Sequence, residues 1–231
     1  MASASASARK PGTAEKIRRT NVDRSTATRE QILHAVVRAL HDHSFAALTN
    51  AGIITSANVS SGAMMHHFPT RQALLVETIT FAYDKLSEFR TANLNRLEPG
   101  LPRFRAIIDL AWATSRMSEG IAVNEIRIGA RSNPELAKAL QPSLMGIASN
   151  YGRFVGRYTR EAGLTPTADI QALSATTAMA VRSLAIDRFT NPSAQMVTNV
   201  LVGLRTMREN IIAKQLGETK RIDPSIANIE L

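Results

Sequence analysis

Apolar side chains recur at helical spacing along most of this chain. The first clear stripe falls at positions i, i+1, i+4, i+5 and i+8 and consists of Ile32, Leu33, Val36, Val37 and Leu40. It predicts an amphipathic helix from about Ser25 to about His43. A second stripe, in a long helix that ends near Leu97, consists of Leu74, Leu75, Ile79, Phe81, Ala82 and Leu86. Similar stripes continue towards the C terminus, so the sequence predicts an all-α protein with about nine helices.

Residues 49–68, between these two stripes, have the pattern of two short helices joined by a tight turn. Thr49 can cap the first short helix, Asn58 tolerates a left-handed backbone in the turn, and Ser60 can cap the second helix. Pro69 then prevents the second helix from continuing. This arrangement is that of a helix-turn-helix.

The second short helix, Ser61–His67, carries small and hydrogen-bonding groups on most of its surface. Such a surface suits close approach to the edges of DNA bases better than it suits a hydrophobic core. Thr70 follows and can cap the long helix after it. We therefore expect Ser61–His67 to be a recognition helix.

Later helices are marked by a capping residue followed by proline. Such pairs occur at Asn133-Pro134, Thr165-Pro166 and Asn191-Pro192. The last two helices carry apolar stripes made of Ile170, Leu173, Thr177, Val181 and Leu184, and of Val197, Val200, Leu201, Leu204 and Ile211. Either stripe could be ordinary core, or the two helices could pair with their copies across a two-fold axis.

The composition narrows the class of protein. A chain of 231 residues can bury a substantial core without covalent staples. The absence of Cys excludes disulfides, thiol catalysis and thiolate metal sites. The first residues lack the apolar segment of a signal peptide, and no stretch is long and uncharged enough to span a bilayer. We expect a soluble, cytoplasmic protein.

The net charge of +9 is unevenly distributed. Residues 1–75 contain nine Lys and Arg against four Asp and Glu, whereas the remaining chain contains nineteen against fifteen. This surplus favours nucleic acid as a partner. Residues 1–25 show no apolar period, so we expect a disordered basic arm that either reaches DNA or only aids solubility.

Two other classes of function have weaker support. Five histidines raise the possibility of a metal site, but His41 and His43 lie at a helix end, where the helix dipole favours them. His66 and His67 are neighbours without a carboxylate pair to complete a ligand set. The sequence contains no Gly-x-Ser-x-Gly, phosphate-binding glycine loop or His-Glu-x-x-His motif and implies no cofactor, so an enzyme is not expected.

A family resemblance rests on one continuous set of positions. These are Ile32, Leu33 and Ala35, the aromatic Phe45, Thr49, Ile53, the turn Ala57-Asn58-Val59-Ser60, Gly62, His66-His67-Phe68 and Pro69-Thr70-Arg71-Gln72-Ala73-Leu74-Leu75. On these residues, segment 28–75 resembles the DNA-binding domain of the TetR family of transcriptional regulators. Three positions depart from the family pattern: Met65 stands where Tyr is usual, and Asn58 and Ser44 replace Gly.

The resemblance also implies roles for individual residues. Those expected in the major groove or beside it are Ser60, Ser61, Gly62, Ala63 and His66. Those expected to hold phosphates are Thr49, His67 and Arg71. Met65 would supply an apolar, flexible contact in place of the hydrogen bond of a Tyr.

A homodimer and a small-molecule pocket in the larger domain are further implications of the resemblance. Candidates for the apolar wall of the pocket are Trp112, Met117, Tyr151, Phe154 and Met179, each of which could equally be plain core. Arg182 lies in an otherwise apolar stretch and needs a partner if it is buried. That partner is either a carboxylate on the effector or an acid such as Asp187 or Glu125, within the chain or across the dimer interface.

The sequence is interpreted as that of a ligand-responsive transcriptional repressor. It would consist of a basic arm (1–25), a three-helix DNA-binding domain (26–75), an effector-binding and dimerisation domain (76–217) and a polar tail (218–231). It would bind a pseudo-palindromic DNA operator as a homodimer and be released by a small, mostly apolar effector. The alternative is an architectural DNA-binding protein without an effector, against which the large C-terminal region argues.

Overall fold

The computed structural model describes residues 12–190 and 193–217, with side chains from Asp23 onwards. These residues form nine α-helices, one short 3-10 helix at Phe45–Ala47 and no strand. The α-helices are α1 Gly12–Asp42, α2 Asn50–Ala57, α3 Ser61–His67, α4 Arg71–Leu94, α5 Leu101–Ser115, α6 Ser118–Arg131, α7 Pro134–Glu161, α8 Ala168–Asp187 and α9 Ala194–Leu216. The all-α prediction is confirmed. None of the described helices has the length and apolar content needed to cross a membrane.

Local hydrogen bonds define the two short helices as the sequence predicts. The side chain of Thr49 accepts a hydrogen bond from the N–H of Gly52 at 3.1 Å, and that of Ser60 accepts one from the N–H of Ala63 at 3.1 Å. Asn58 adopts the left-handed conformation, with φ 50° and ψ 50°. Each cap satisfies an N–H group that has no partner inside its helix. The predicted helix-turn-helix is confirmed.

The first helix begins earlier than the hydrophobic pattern indicates. It starts at Gly12, so residues 12–25 are helical, and the expectation of a disordered arm is wrong for them. Ala14, Glu15 and Lys16 are good helix formers although they provide no apolar stripe. A hydrophobic period predicts which face of a helix packs, whereas helix formation itself can extend beyond the packed part. Residues 1–11 and the predicted polar tail lie outside the described residues.

The core of the DNA-binding domain extends into the larger domain. It is formed by α1 to α4 together with Ala122 and Ile126 of α6 and Leu136 and Leu140 of α7. Helix α4 also continues without interruption through residue 75, where the sequence predicts a domain boundary. The two predicted domains therefore share both a helix and a hydrophobic core.

The apolar stripes of the last two helices pack inside the chain. Seven of these residues are buried, namely Ile170, Leu173, Thr177, Val181, Leu184, Leu201 and Leu204. The stripes are therefore ordinary core. The start of α8 differs from the prediction: its N-cap is Thr167 rather than Thr165, because Pro166 lies in the extended segment before the helix. The other predicted start, Asn191-Pro192, lies outside the described residues, and α9 begins after it with Ser193 as the cap.

A buried ionic network joins α5 to α9. The carboxylate of Glu209, which is 4% exposed, accepts hydrogen bonds from Arg105 at 2.9 Å and from Arg208 at 2.7 Å. Arg205 pairs with Asp109 one turn away on each helix. Although burial opposes ionisation of Glu209, the hydrogen bond from Arg105 and the charge of Arg208 lower the pKa of its carboxyl. Glu209 is thus ionised between two guanidinium groups.

We predict that Glu209→Gln lowers the free energy of unfolding by about 3–5 kcal/mol, because it leaves Arg208 buried without its counter-charge. Asp169→Asn is the matched control. It breaks the ion pair to Lys214, whose side chains are 51% and 74% exposed, and should cost less than about 1 kcal/mol. Urea unfolding at neutral pH measures both. Equal effects of the two substitutions would show that the α5–α9 network does not stabilise the fold.

Candidate nucleic-acid interface and effector cavity

One side of helix α3 packs against the protein, and the other side is exposed to solvent. Met64 is 4% exposed and packs in the core of the DNA-binding domain, whereas the adjacent Met65 is 55% exposed. Ser61, Gly62 and His66 are exposed on the same helix, and Ala63 is half-buried. The residues expected to face DNA bases therefore lie on or beside the solvent side of α3.

Nothing inside the protein requires a glycine at position 62. A Cβ atom built there would come no closer than 3.9 Å to any other group, which is the Oγ of Ser60. The residue also lacks a positive φ angle. The missing side chain leaves the backbone of α3 accessible at its N-terminal end, where the free N–H groups favour an anion such as a phosphate.

The residues expected to contact phosphates have different environments. Thr49 is exposed at the start of α2, where its hydroxyl oxygen already caps the helix. His67 is half-buried, and burial, followed by the charges of His66 and Arg29, lowers the pKa of its imidazole. At neutral pH His67 is therefore uncharged, and it can donate one hydrogen bond to a phosphate.

Arg71 is bound within the fold. Its guanidinium donates a hydrogen bond to the carbonyl oxygen of Leu48 at 2.7 Å and lies 5.7 Å from the centre of the Phe45 ring. These contacts hold the N terminus of α4 against the segment before α2. The resemblance does not imply this structural role, and the phosphate contact of Arg71 stays a prediction.

A cavity of about 620 Å³ lies between α4, α5, α6, α7 and α8. This is within the range of sites that enclose small molecules. Three of the six predicted pocket residues, Tyr151, Phe154 and Arg182, lie on its wall. The rings of Tyr151 and Phe154 stack, with their centres 5.9 Å apart.

The other three predicted pocket residues lie elsewhere, so these expectations are corrected. Met179 is 67% exposed on the outer side of α8. Trp112 packs between α5, α8 and α9, with Arg116 against its ring. Met117 precedes α6 as its N-cap. Composition alone cannot identify wall residues, because the rotation of each helix decides whether its side chains face the cavity, the core or solvent.

Two arginines of the cavity wall were missed by the sequence analysis. Arg90 of α4 is 9% exposed and Arg127 of α6 is half-buried, and both line the cavity with Arg182. A signal for Arg90 was present, because it lies four residues after Leu86 and four before Leu94, on the buried face of the helix. The intrachain pairing proposed for Arg182 is corrected, because in the described part of the chain neither Asp187 nor Glu125 forms an ion pair with it. Pairing with such an acid across a dimer interface stays a prediction.

Two of the three histidines outside α3 contact other side chains of the protein. The ring of His34 packs edge-on against Phe81, and His41 contacts Asp42 at 2.9 Å. Over the described residues, no three His, Asp or Glu side chains come together as a metal-binding group.

Comparison with known proteins gives matches to regulatory proteins over part of this chain. The family model described as "Bacterial regulatory proteins, tetR family" matches residues 32–78. The HTH-type transcriptional regulator CymR of Pseudomonas putida is 28% identical over 125 residues, which are 54% of this chain and 61% of that protein. The match thus spans less than two thirds of that relative's length.

Solved structures share the fold over most of the chain. A Rhodococcus sp. protein classed with TetR-family transcriptional regulators has a TM-score of 0.61 at 17% identity, over 80% of this chain and 99% of that one. FadR from Bacillus subtilis, solved in complex with stearoyl-CoA, has a TM-score of 0.56 at 15% identity, over 76% of this chain and 96% of that one.

Gly62→Ala tests whether α3 is a DNA-reading surface. Alanine should stabilise the helix by about 0.5–1 kcal/mol, because it restricts the unfolded chain and meets no clash. The same methyl group should weaken DNA binding about tenfold or more by blocking close approach. Gly146→Ala, on an open part of α7, should give the stabilisation alone. Thermal unfolding and fluorescence anisotropy with a selected duplex measure the two effects, and unchanged DNA affinity in Gly62→Ala would contradict the assignment.

A second prediction concerns His67 and pH. A bound phosphate should raise the lowered pKa of His67, so DNA binding takes up a proton, and affinity should rise as pH falls from about 7.5 to 5.5. Protein stability without DNA should depend on pH in the opposite direction. The folded protein binds a proton at His67 more weakly than the unfolded chain does, so the free energy of unfolding should fall as pH falls. His67→Gln should flatten the affinity profile, whereas His43→Gln, at an exposed position after α1, should not. Anisotropy titrations at constant salt measure this, and an unaltered profile in His67→Gln would exclude the contact.

Proposed function

We propose that this chain is a transcriptional repressor of the TetR family that binds a pseudo-palindromic operator as a homodimer and leaves it when a small, mostly apolar effector enters the cavity. The observation that carries the proposal is that three helices, α4, α6 and α7, contribute both to the cavity wall and to the DNA-binding core. An occupant of the cavity therefore contacts helices that also pack in the core that contains Met64 of the recognition helix.

Helix α4 supports both sites along its length. Its N-terminal half contributes Leu74, Leu75 and Ile79 to the core of the DNA-binding domain. Further along, Leu86 and Arg90 line the cavity. Because an α-helix moves nearly as a rigid body, a displacement at Arg90 is transmitted to the end of α4 that follows α3.

Helix α6 makes a second connection through Phe45. The carboxylate of Glu125 accepts a hydrogen bond from the backbone N–H of Phe45 at 2.7 Å. One turn later, the Phe45 ring lies so close to Gly129 that an added Cβ would be 2.3 Å from it. Arg127, between these two positions in sequence, lines the cavity. A shift of α6 therefore has to move Phe45 and the segment before α2.

The proposed homodimer would use the outer sides of α8 and α9. Large apolar side chains exposed there are Met179, Ile186, Val202 and Met207, with Phe189 directly after α8. A second copy would cover them in a four-helix interface. A dimer of this kind would have to present its two α3 helices about 34–36 Å apart to meet successive major grooves.

The proposed assignments of residues follow from this arrangement. Base edges would be read by Ser60, Ser61, Gly62, Ala63, Met65 and His66, and phosphates would be held by Thr49, His67 and Arg71. Effector contacts would come from Tyr151, Phe154 and Arg182, together with Arg90 and Arg127. Because its target is DNA, we place the protein in the cytoplasm of a bacterial cell.

Selection of binding sites from a random duplex pool tests the proposed function. We expect a pseudo-palindrome with half-sites about one helical turn apart, bound by two copies of the chain. Sedimentation of the complex gives the stoichiometry. Unselective binding that weakens steeply with salt would contradict the proposal and favour an architectural DNA-binding protein.

Glu125→Ala tests the connection through α6. It removes the acceptor for the Phe45 N–H while leaving the cavity wall and α3 intact. The factor by which an effector weakens operator binding corresponds to a coupling free energy. We expect Glu125→Ala to reduce this coupling free energy by about 0.5–2 kcal/mol. Glu88→Ala, at an exposed position on α4, is the control. Anisotropy titrations with and without effector measure the factor, and full coupling in Glu125→Ala would show that the signal bypasses this contact.

A further inference from the structure

We propose that the effector carries a carboxylate on an apolar body, and that Arg90, Arg127 and Arg182 bind this carboxylate inside the cavity. This proposal rests on the effector-binding role proposed above and specifies the chemical class of the effector. It is carried by three arginine side chains that line one cavity and have no acidic partner among the described residues.

The unused hydrogen-bond donors of these arginines point to a missing acceptor. The Nε atoms of both Arg90 and Arg127 are buried and have no hydrogen-bond partner in the described residues. The Nη1 of Arg90 reaches the hydroxyl of Thr114 only at 3.5 Å, which is a long hydrogen bond. A buried N–H without an acceptor is costly and rare in folded proteins.

The charges of the three arginines also lack a carboxylate partner. Elsewhere in the described structure, the buried Arg208 pairs with Glu209 and the partly buried Arg205 pairs with Asp109. In contrast, no described Asp or Glu lies within 4.0 Å of Arg90, Arg127 or Arg182. Burial lowers the pKa of Arg90, and burial together with the nearby charge of Arg127 lowers that of Arg182. An anion placed among them would accept the unused hydrogen bonds and offset the buried positive charge.

The protein's own groups compensate this charge only in part. Arg90 lies 5.6 Å and 5.9 Å from the ring centres of Tyr151 and Phe154, a favourable cation–π arrangement. These aromatic faces satisfy no N–H in the plane of the guanidinium. The one acid on the cavity wall, Asp84, is exposed. A planar carboxylate is the group that matches the two parallel N–H donors of a guanidinium.

The remaining wall of the cavity defines the rest of the effector. It is largely apolar, with Val123, Leu144, Ile147, Phe154 and Val181. A volume of about 620 Å³ is in the range of sites for small molecules, and the apolar lining suits a hydrophobic body rather than a polar metabolite. The cavity thus combines cationic side chains with an apolar lining, which fits an aromatic or medium-chain aliphatic carboxylic acid.

Calorimetry with matched acids and amides tests this class of effector. The probes are 2-naphthoate and decanoate, each compared with its primary amide, which has the same body and no charge. We expect the acids to bind at least about tenfold more tightly than the amides. Arg90→Gln, Arg127→Gln and Arg182→Gln should each reduce this preference, whereas Arg153→Gln, an exposed position on α7 outside the cavity, should retain it.

The stability of the free protein gives a readout that does not depend on the chosen probes. If Arg182 serves an absent anion, Arg182→Gln removes repulsion from Arg127 and should raise the melting temperature without ligand. If Arg182 only supports the fold, the melting temperature should fall, which would overturn the proposal. The proposal would also be overturned if acids and amides bound equally, if no acid bound at about 1 mM, or if decyl phosphate bound and decanoate did not.

Release of the operator separates this inference from the proposed function. An acid that binds in the cavity through the arginines but leaves the operator complex intact would support the carboxylate site and contradict the repressor mechanism. Amides that release the operator as well as the acids would overturn the carboxylate site and leave the repressor mechanism standing. Anisotropy of a labelled operator distinguishes the two results.

Discussion

The packing of Phe45 against α6 is the contact on which the proposed communication between the two sites depends. The ring occupies the space that a side chain at Gly129 would fill, and the Phe45 N–H is bound by Glu125. Close-packed contacts of this kind transmit displacement because neither side has free volume to absorb it. The DNA-binding domain is therefore not a separate unit on a linker: it shares α4, α6 and a hydrophobic core with the domain that encloses the cavity.

Buried charge is treated in two different ways in this fold. Between α5 and α9, Arg105 and Arg208 share Glu209, so the guanidinium groups are paired within the chain. Around the cavity, arginines of three helices line the wall without a carboxylate partner in the described residues. A paired network fixes one arrangement of helices, whereas an unpaired cluster favours a different arrangement when an anion arrives. This contrast connects the proposed effector to the movement of α4 and α6.

Local features could be predicted from the sequence because they depend on residues close together in the chain. The caps of α2 and α3 each join residues three apart, and Asn58 needs only its own backbone preference. The cavity could not be predicted in this way. Whether Met179 or Arg90 lines it depends on the rotation of α8 and α4 against their neighbours, which only long-range packing determines. The helical extension from Gly12 was missed for a related reason, because an apolar period reports packing and not helix formation.

The most direct test of the account is the distance between the two DNA-binding domains in the assembled protein. Since the sequence contains no Cys, a single Gln31→Cys substitution on the exposed side of α1 gives one spin label per chain for double electron–electron resonance. We predict that operator DNA narrows the distance distribution, and that a carboxylate bound in the cavity shifts it to a separation that DNA does not permit. Identical distributions with DNA and with bound carboxylate would contradict coupling through α4 and α6, and the absence of dipolar coupling would contradict the dimer.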